Sequence, residues 1–258
     1  MSSARPTRSR DRRLIFLLSG ALVFVVILLG VALSQPSGNN AAPPAPPTSA
    51  PGEQQGADQQ GTEPQEPPRL PDLARREAND PAAIGEVDAP VVLVEFADYR
   101  CPFCGVFARE TLPQIIEEYV DEGLVRVEWH DIPIFGEESF AAAVAAHAAG
   151  EQGLFWEYGA AIFAYDGGGH QDLPRERLLE IAKEIGVPDI AAFEAALDSP
   201  ALGEKVQQQT ADAHALGVQS TPTFAVGGVP LMGAQPVEAF RRAIDTELEY
   251  LGVPVPAR

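Results

Sequence analysis

The chain is short of cysteine. Among 258 residues there are two, Cys101 and Cys104, both in one C-x-x-C, which excludes a scaffold stapled by several disulfides and a four-cysteine zinc site. It is also short of basic residues: 18 lysines and arginines face 37 aspartates and glutamates, for a formal charge of -19. That balance argues against a nucleic-acid binder, which carries a basic patch or stripe. The four histidines, His130, His147, His170 and His214, are scattered, so no metal site is expected. No internal repeat is present. What the sequence does have is 24 prolines, many of them early, so its composition is uneven and the chain divides before its averages mean anything.

Residues 1–13 hold Arg5, Arg8, Arg10, Arg12 and Arg13 with a single acid, Asp11, and Leu14 to Leu33 then run without a charge. A helix of that length spans the roughly 30 Å hydrocarbon core, and the arginine cluster before it is expected to stay cytoplasmic. The expectation is a basic tail (1–13), a transmembrane helix (14–33), and everything after it outside the cell membrane. The alternative is a cleaved signal peptide, for which Ala32-Leu33-Ser34 offers a small-x-small site; the apolar run is longer than such peptides usually carry. No cysteine follows the run, so lipid attachment there is excluded. From residue 34 to 78 the composition is rich in Pro and Gln and reads as a disordered tether. The part beyond the membrane keeps 13 basic against 36 acidic residues. A solvated acidic surface explains this.

The remaining segment, 79–251, reads as one domain followed by a short tail (252–258). Val91 to Phe96 is a β-branched apolar run suited to a buried central strand. Phe103 to Glu122 has helical spacing with a kink at Pro113, and Leu124 to Trp129 reads as a second strand. A strand, a crossover helix and a strand make a parallel pair. Helical patterns then fill an insertion of about 137–200, and a helix from Ala201 to Leu216 follows. The strand Thr221 to Val226 turns at Gly227-Gly228 into Val229 to Leu231, and a last helix runs from Pro236 to about Tyr250. The fold class is α/β, with a mixed central sheet.

The chemistry lies in Tyr99-Arg100-Cys101-Pro102-Phe103-Cys104. Where a strand gives way to a helix, the first cysteine sits among unsatisfied amide N–H groups at the positive end of the helix dipole, which favours its thiolate. Cys101 is therefore the expected nucleophile. Pro102 suits the first helical turn, and Cys104, one turn on, is close enough to form a disulfide with Cys101 and is expected to be the buried, resolving thiol. Glu95, six residues earlier in an apolar strand, is expected to hold its proton tightly if it is buried unpaired; a strand-end carboxylate reaching water is the alternative. Arg100 would either add positive potential at Cys101 or be solvated. Phe155, Trp156, Tyr158 and Phe163 have core-like spacing, and His147 and His214 read as ordinary helix residues.

Val94-Glu95-Phe96, Cys101-Pro102-Phe103-Cys104, the lead-in Gly85 to Pro90 and the downstream Gly217-Val218-Gln219-Ser220-Thr221-Pro222-Thr223-Phe224 resemble the DsbA-like thioredoxin-fold oxidoreductases, membrane-anchored bacterial forms among them. Leu112-Pro113, Asp131-Ile132-Pro133 and Phe155-Trp156-Glu157-Tyr158 agree in order and spacing, and the likeness covers about Asn79 to Leu251. It implies a thioredoxin fold with a helical insertion, a cis-proline at Pro222 facing the redox pair, and a backbone at Thr221 that pairs with an extended substrate. Pro102 and Phe103 complete the substrate-facing surface, and Glu95 is the acid beneath the pair. It further implies a thiol:disulfide oxidoreductase that oxidises exported proteins with free cysteines, is reoxidised by a quinone-linked membrane protein of the DsbB or vitamin K epoxide reductase type, and needs no cofactor. One departure is Phe103, where strong oxidants of the family have histidine; a less oxidising potential follows. A reductase or isomerase of the same fold is the alternative, and a tethered binding or chaperone module is a further one. No added dimerisation domain is visible, so a monomer is expected.

Overall fold

The computed structural model describes residues 69–164 and 169–257. Five strands form one mixed sheet: β1 (Ala83–Ile84), β2 (Val91–Ala97), β3 (Val125–Asp131), β4 (Thr223–Val226) and β5 (Val229–Met232), in the order β1-β3-β2-β4-β5. β2 runs parallel to β3 and antiparallel to β4, while β1 and β5 close the edges antiparallel. All seven residues of β2 are buried. That follows from its place at the centre, where both faces are covered and an alternating pattern has no use. The helices are α1 (102–120), α2 (Glu137–Gly150), α3 (Phe155–Phe163), α4 (Arg175–Glu184), α5 (Ile190–Ala196), α6 (Pro200–Ala215) and α7 (Val237–Tyr250).

Because side chains alternate across a strand, β2 feeds two cores. Val91 and Leu93 pack with Phe107, Ile115, Phe240 and Ile244 under α1 and α7. Here Phe107, Phe224 and Phe240 meet with ring centroids 4.5, 4.8 and 5.0 Å apart. Truncating Phe240 to alanine would cost about 3–5 kcal/mol. Val92, Val94 and Phe96 face the other way, onto Ile132, Ala213 and Val218. A third core joins the end of β2 and Trp129 to α2–α6, with a buried hydrogen bond across it: His147 Nε2 of α2 lies 2.6 Å from Asp131 Oδ2 of β3. His147 is thus a structural residue.

Helix α1 is not uniform. Ordinary turns at Pro102–Val106 and Leu112–Ile115 alternate with π-helical ones at Phe107–Thr111 and Ile116–Val120. Pro113 has no N–H to donate, and the preceding amide, that of Leu112, reaches back five residues to the Phe107 carbonyl, so the expected kink is a widened, underwound stretch.

The expected tail (1–13), membrane helix (14–33) and most of the tether lie outside the described residues. Among the described residues no helix is long and apolar enough to cross a membrane. Composition assigned 69–78 to the tether, but here this arm is seated on the domain. Leu70, Leu73 and Ala74 cover the sheet, the Leu70 N–H donates to the Gly228 carbonyl at 3.0 Å, and the Arg69 guanidinium binds the buried carboxylate of Glu247 at 2.5 Å while lying 3.9 Å over the Tyr250 ring. Further on, Glu128 accepts from the backbone N–H groups of Arg75 and Arg76 at 2.7 and 2.9 Å. The reason for the difference is long-range: Glu128 and Glu247, which hold the arm, lie 52 to 178 positions from their partners, where local composition carries no trace of them.

Candidate active site

β2 ends at Ala97, and the chain turns over Asp98, whose buried carboxylate fixes the turn. One oxygen accepts from the Arg100 N–H at 2.7 Å, and the other from the N–H groups of Ile134 and Phe135 at 2.7 and 3.2 Å. The Asp98 carbonyl takes the Cys101 N–H at 3.0 Å. This places Cys101 in an extended conformation as the N-cap of α1, with Pro102 in its first turn. Asp98 was missed from sequence, although an Asp just before a helix N-terminus is a turn signal that could have marked it.

Both cysteines are thiols here, and both are buried. Cys101 Sγ lies 3.4 Å from the Thr221 carbonyl, to which the thiol donates, and the Thr221–Pro222 peptide bond is cis. The structure therefore gathers Cys101, Cys104, Thr221 and Pro222 although 120 positions separate the two halves. The two sulfurs differ sharply. A hydrogen bond from Cys104 pulls the Cys101 thiol down to about 6; burial opposes this, and Thr221 and the N–H groups of Cys104 and Phe103 assist. Burial pushes the Cys104 thiol well up, and Cys101 and Glu95 add to the rise. At neutral pH, Cys101 is then mostly thiolate and Cys104 keeps its proton.

Beneath the pair, Glu95 is 1% exposed, opposite Trp129 on β3 and Phe224 on β4. Its Oε1 has no hydrogen-bond partner. Burial first, and then the charge at Cys101, hold its carboxyl well above the usual carboxylate range. Of the two expectations for Glu95, the water-exposed strand end is excluded.

Phe103 is 62% exposed, an apolar side chain beside the sulfurs, and Met232 at the end of β5 is 70% exposed. Arg100 turns away from Cys101: its Nε and Nη1 donate to the carbonyls of Gln171 and Phe135 at 2.8 and 2.9 Å, and it pairs with Glu138 at 3.3 Å. It braces the loop. No group of three or more metal-ligating side chains occurs among the described residues.

A family model described as thioredoxin matches residues 77–246. The chain belongs to the thioredoxin family. Within that family it is similar to a "probable disulfide bond formation protein D" of Bacillus anthracis, 32% identical over 171 residues that cover 65% of this chain and 78% of the relative. It is also similar to the oxidised crystal structure of BdbD from Bacillus subtilis, with a TM-score of 0.61 and 25% identity, covering 65% of this chain and 92% of that one. A thioredoxin-like oxidoreductase from Silicibacter pomeroyi superposes with a TM-score of 0.57 at 29% identity, covering 66% and 95%. This thioredoxin-family protein is a DsbA-like thiol:disulfide oxidoreductase, with the mixed sheet and helices of that fold.

Proposed function

We propose that the protein oxidises cysteine pairs in exported proteins, with Cys101 and Cys104 as the exchanging pair. The observation that carries this reading is the split between the two thiols: about 6 for Cys101 against a Cys104 pushed well up. In the disulfide form, a client thiolate attacks Cys101 Sγ, the Cys101–Cys104 bond breaks, and the Cys104 sulfur leaves with the electron pair. Glu95, protonated because it is buried, supplies the proton that Cys104 then holds. A second client thiolate attacks the client sulfur of the mixed disulfide and expels Cys101 as a stabilised thiolate. Two electrons have passed to the enzyme, and the client has gained one disulfide.

The extended client lies along the backbone at Thr221 and Pro222, with Pro102 and Phe103 forming the apolar rim. Residues 14–33 anchor the chain in the cell membrane with the N-terminus cytoplasmic, residues after them tether the catalytic domain outside, and a quinone-linked membrane protein of the DsbB or vitamin K epoxide reductase type reoxidises the pair. The compartment agrees with the direction, since stable disulfides persist outside the cytoplasm. The enzyme works as a monomer without a cofactor.

One observation favours a weaker oxidant or a reductase. A Cys101 value of about 6 lies nearer to the value of about 7 known for thioredoxin than to the value of about 3.5 known for DsbA, in keeping with Phe103 between the cysteines. Trapping free thiols with a mass tag in intact cells decides the direction: a mainly oxidised pair is expected, and a mainly reduced one overturns the oxidase reading. A Cys104→Ala variant is expected to accumulate mixed disulfides with clients through Cys101. Their absence would leave a binding module.

A further inference from the structure

Besides Thr221 Oγ1, two buried polar atoms near the redox pair have no partner: Glu95 Oε1 and Trp156 Nε1. They belong to residues that line one cavity of about 50 Å³, whose other walls include Tyr99, Leu112, Trp129 and Phe163. Each atom alone would be an expensive defect, since an unsatisfied buried donor or acceptor costs on the order of 1–3 kcal/mol. Together they are complementary, because an indole N–H only donates and a carboxylate oxygen only accepts. A water needs a cavity of roughly 10–15 Å³ and at least two polar partners; this cavity is large enough, and Glu95 and Trp156 are among the residues that line it.

We propose that the cavity is a water site in which water accepts from Trp156 Nε1 and donates to Glu95 Oε1, making Trp156 a positioning residue for the proton step at Glu95. The inference rests on the proton role given to Glu95 above. When Cys104 Sγ attacks Cys101 Sγ in a mixed disulfide, its proton passes to the Glu95 carboxylate, the new Cys104–Cys101 bond forms, and the partner's sulfur leaves as thiolate. A donor held against Glu95 stabilises the carboxylate that must exist before that transfer. The groups facing Glu95 are Cys101 at the N-cap of α1, Cys104 in its first turn and Tyr99 after β2. Phe224 of β4 and Trp129 of β3 bring no charge, and the Trp129 N–H is committed to Asp131 at 2.7 Å. The Tyr99 hydroxyl is a second donor on this wall, and Trp156 Nε1 is the buried one without a partner.

The chain has two tryptophans, so the indole N–H resonances of the full chain test this directly. The Trp156 signal is expected to titrate with the same midpoint as the Glu95 carboxyl band in infrared difference spectra, and to stop titrating in Glu95→Gln; the Trp129 signal serves as the control. In Trp156→Phe the Glu95 midpoint is expected to rise by about one pH unit, the tenfold change within reach of one hydrogen bond to a charged group. A Trp156 resonance indifferent to Glu95, or an unchanged midpoint in Trp156→Phe, overturns the proposal. If Trp156→Phe does not fold, the comparison of the native chain with Glu95→Gln decides alone. An unchanged resolving rate in Glu95→Gln would instead defeat the proton role of Glu95 and leave the indole titration as an independent reading of the water site.

Discussion

Glu95 and Glu128 are buried glutamates on adjacent central strands, one residue out of register with each other across the β2–β3 ladder. Glu128 is fully enclosed and fully answered: Arg126 Nε donates to it at 2.8 Å, and two backbone N–H groups of the arm complete its shell. Burial pushes its carboxyl up, but these donors outweigh burial and hold it below the usual value. Glu95 has the same burial and no such donors, and its carboxyl is driven the other way. Burial alone therefore does not mark a working group. The missing partner does, and it leaves Glu95 able to exchange a proton where Glu128 only holds structure together.

Breaking the answered glutamate should have the larger effect. Glu128→Ala strands the buried guanidinium of Arg126 and frees the arm, so urea denaturation is expected to show a loss of about 3–5 kcal/mol, with thiol exchange per folded molecule unchanged. A smaller loss would mean that the arm contributes little. Glu95→Gln should do the opposite: stability equal to or above that of the native chain, and a resolving step about 100-fold slower in stopped-flow exchange. Unfolding of that variant at lower denaturant would contradict the contrast.

Only half of this contrast was legible in the sequence. A charged residue amid Val91–Ala97 stands out, as do the C-x-x-C at a strand end and the Thr-Pro before β4, because each breaks a local pattern. Glu128 sits in the alternating run of Val125–Trp129, where a charge looks like a solvent-facing position. Its burial depends on the arm, which composition had placed in the tether. Asp98 offered a turn signal, but its partners in the loop at Ile134 come from the tertiary fold, and the π-helical turns of α1 left no local mark.

A subtler difference lies in pH. Measured on the oxidised protein, where neither thiol titrates, the two carboxyls should tilt stability in opposite senses. Folded Glu95 keeps its proton above the unfolded value of about 4.3, so stability falls as pH rises from there towards its folded value. Folded Glu128 loses its proton below that value, so its contribution is present above about pH 4.3 and is lost as pH falls through its folded value. Glu95→Gln should remove the first slope and Glu128→Gln the second, in thermal melts across the acid range. Parallel slopes in both variants would refute the assignment. The smallest effect is expected from Arg69→Ala, which gives up a partly exposed ion pair and a cation–π contact worth about 1 kcal/mol together, visible as a small drop in Tm with exchange untouched.

The arm joins the sheet at the β4–β5 turn, the end away from Cys101. Along the arm, Arg69 holds α7 through Glu247, Leu70 holds the β4–β5 turn through Gly228, and Arg75 and Arg76 hold β3 through Glu128. Detaching the arm would lay open Val92, Val94 and Phe96 of β2, so the arm is the cover of the strand that leads into the redox pair.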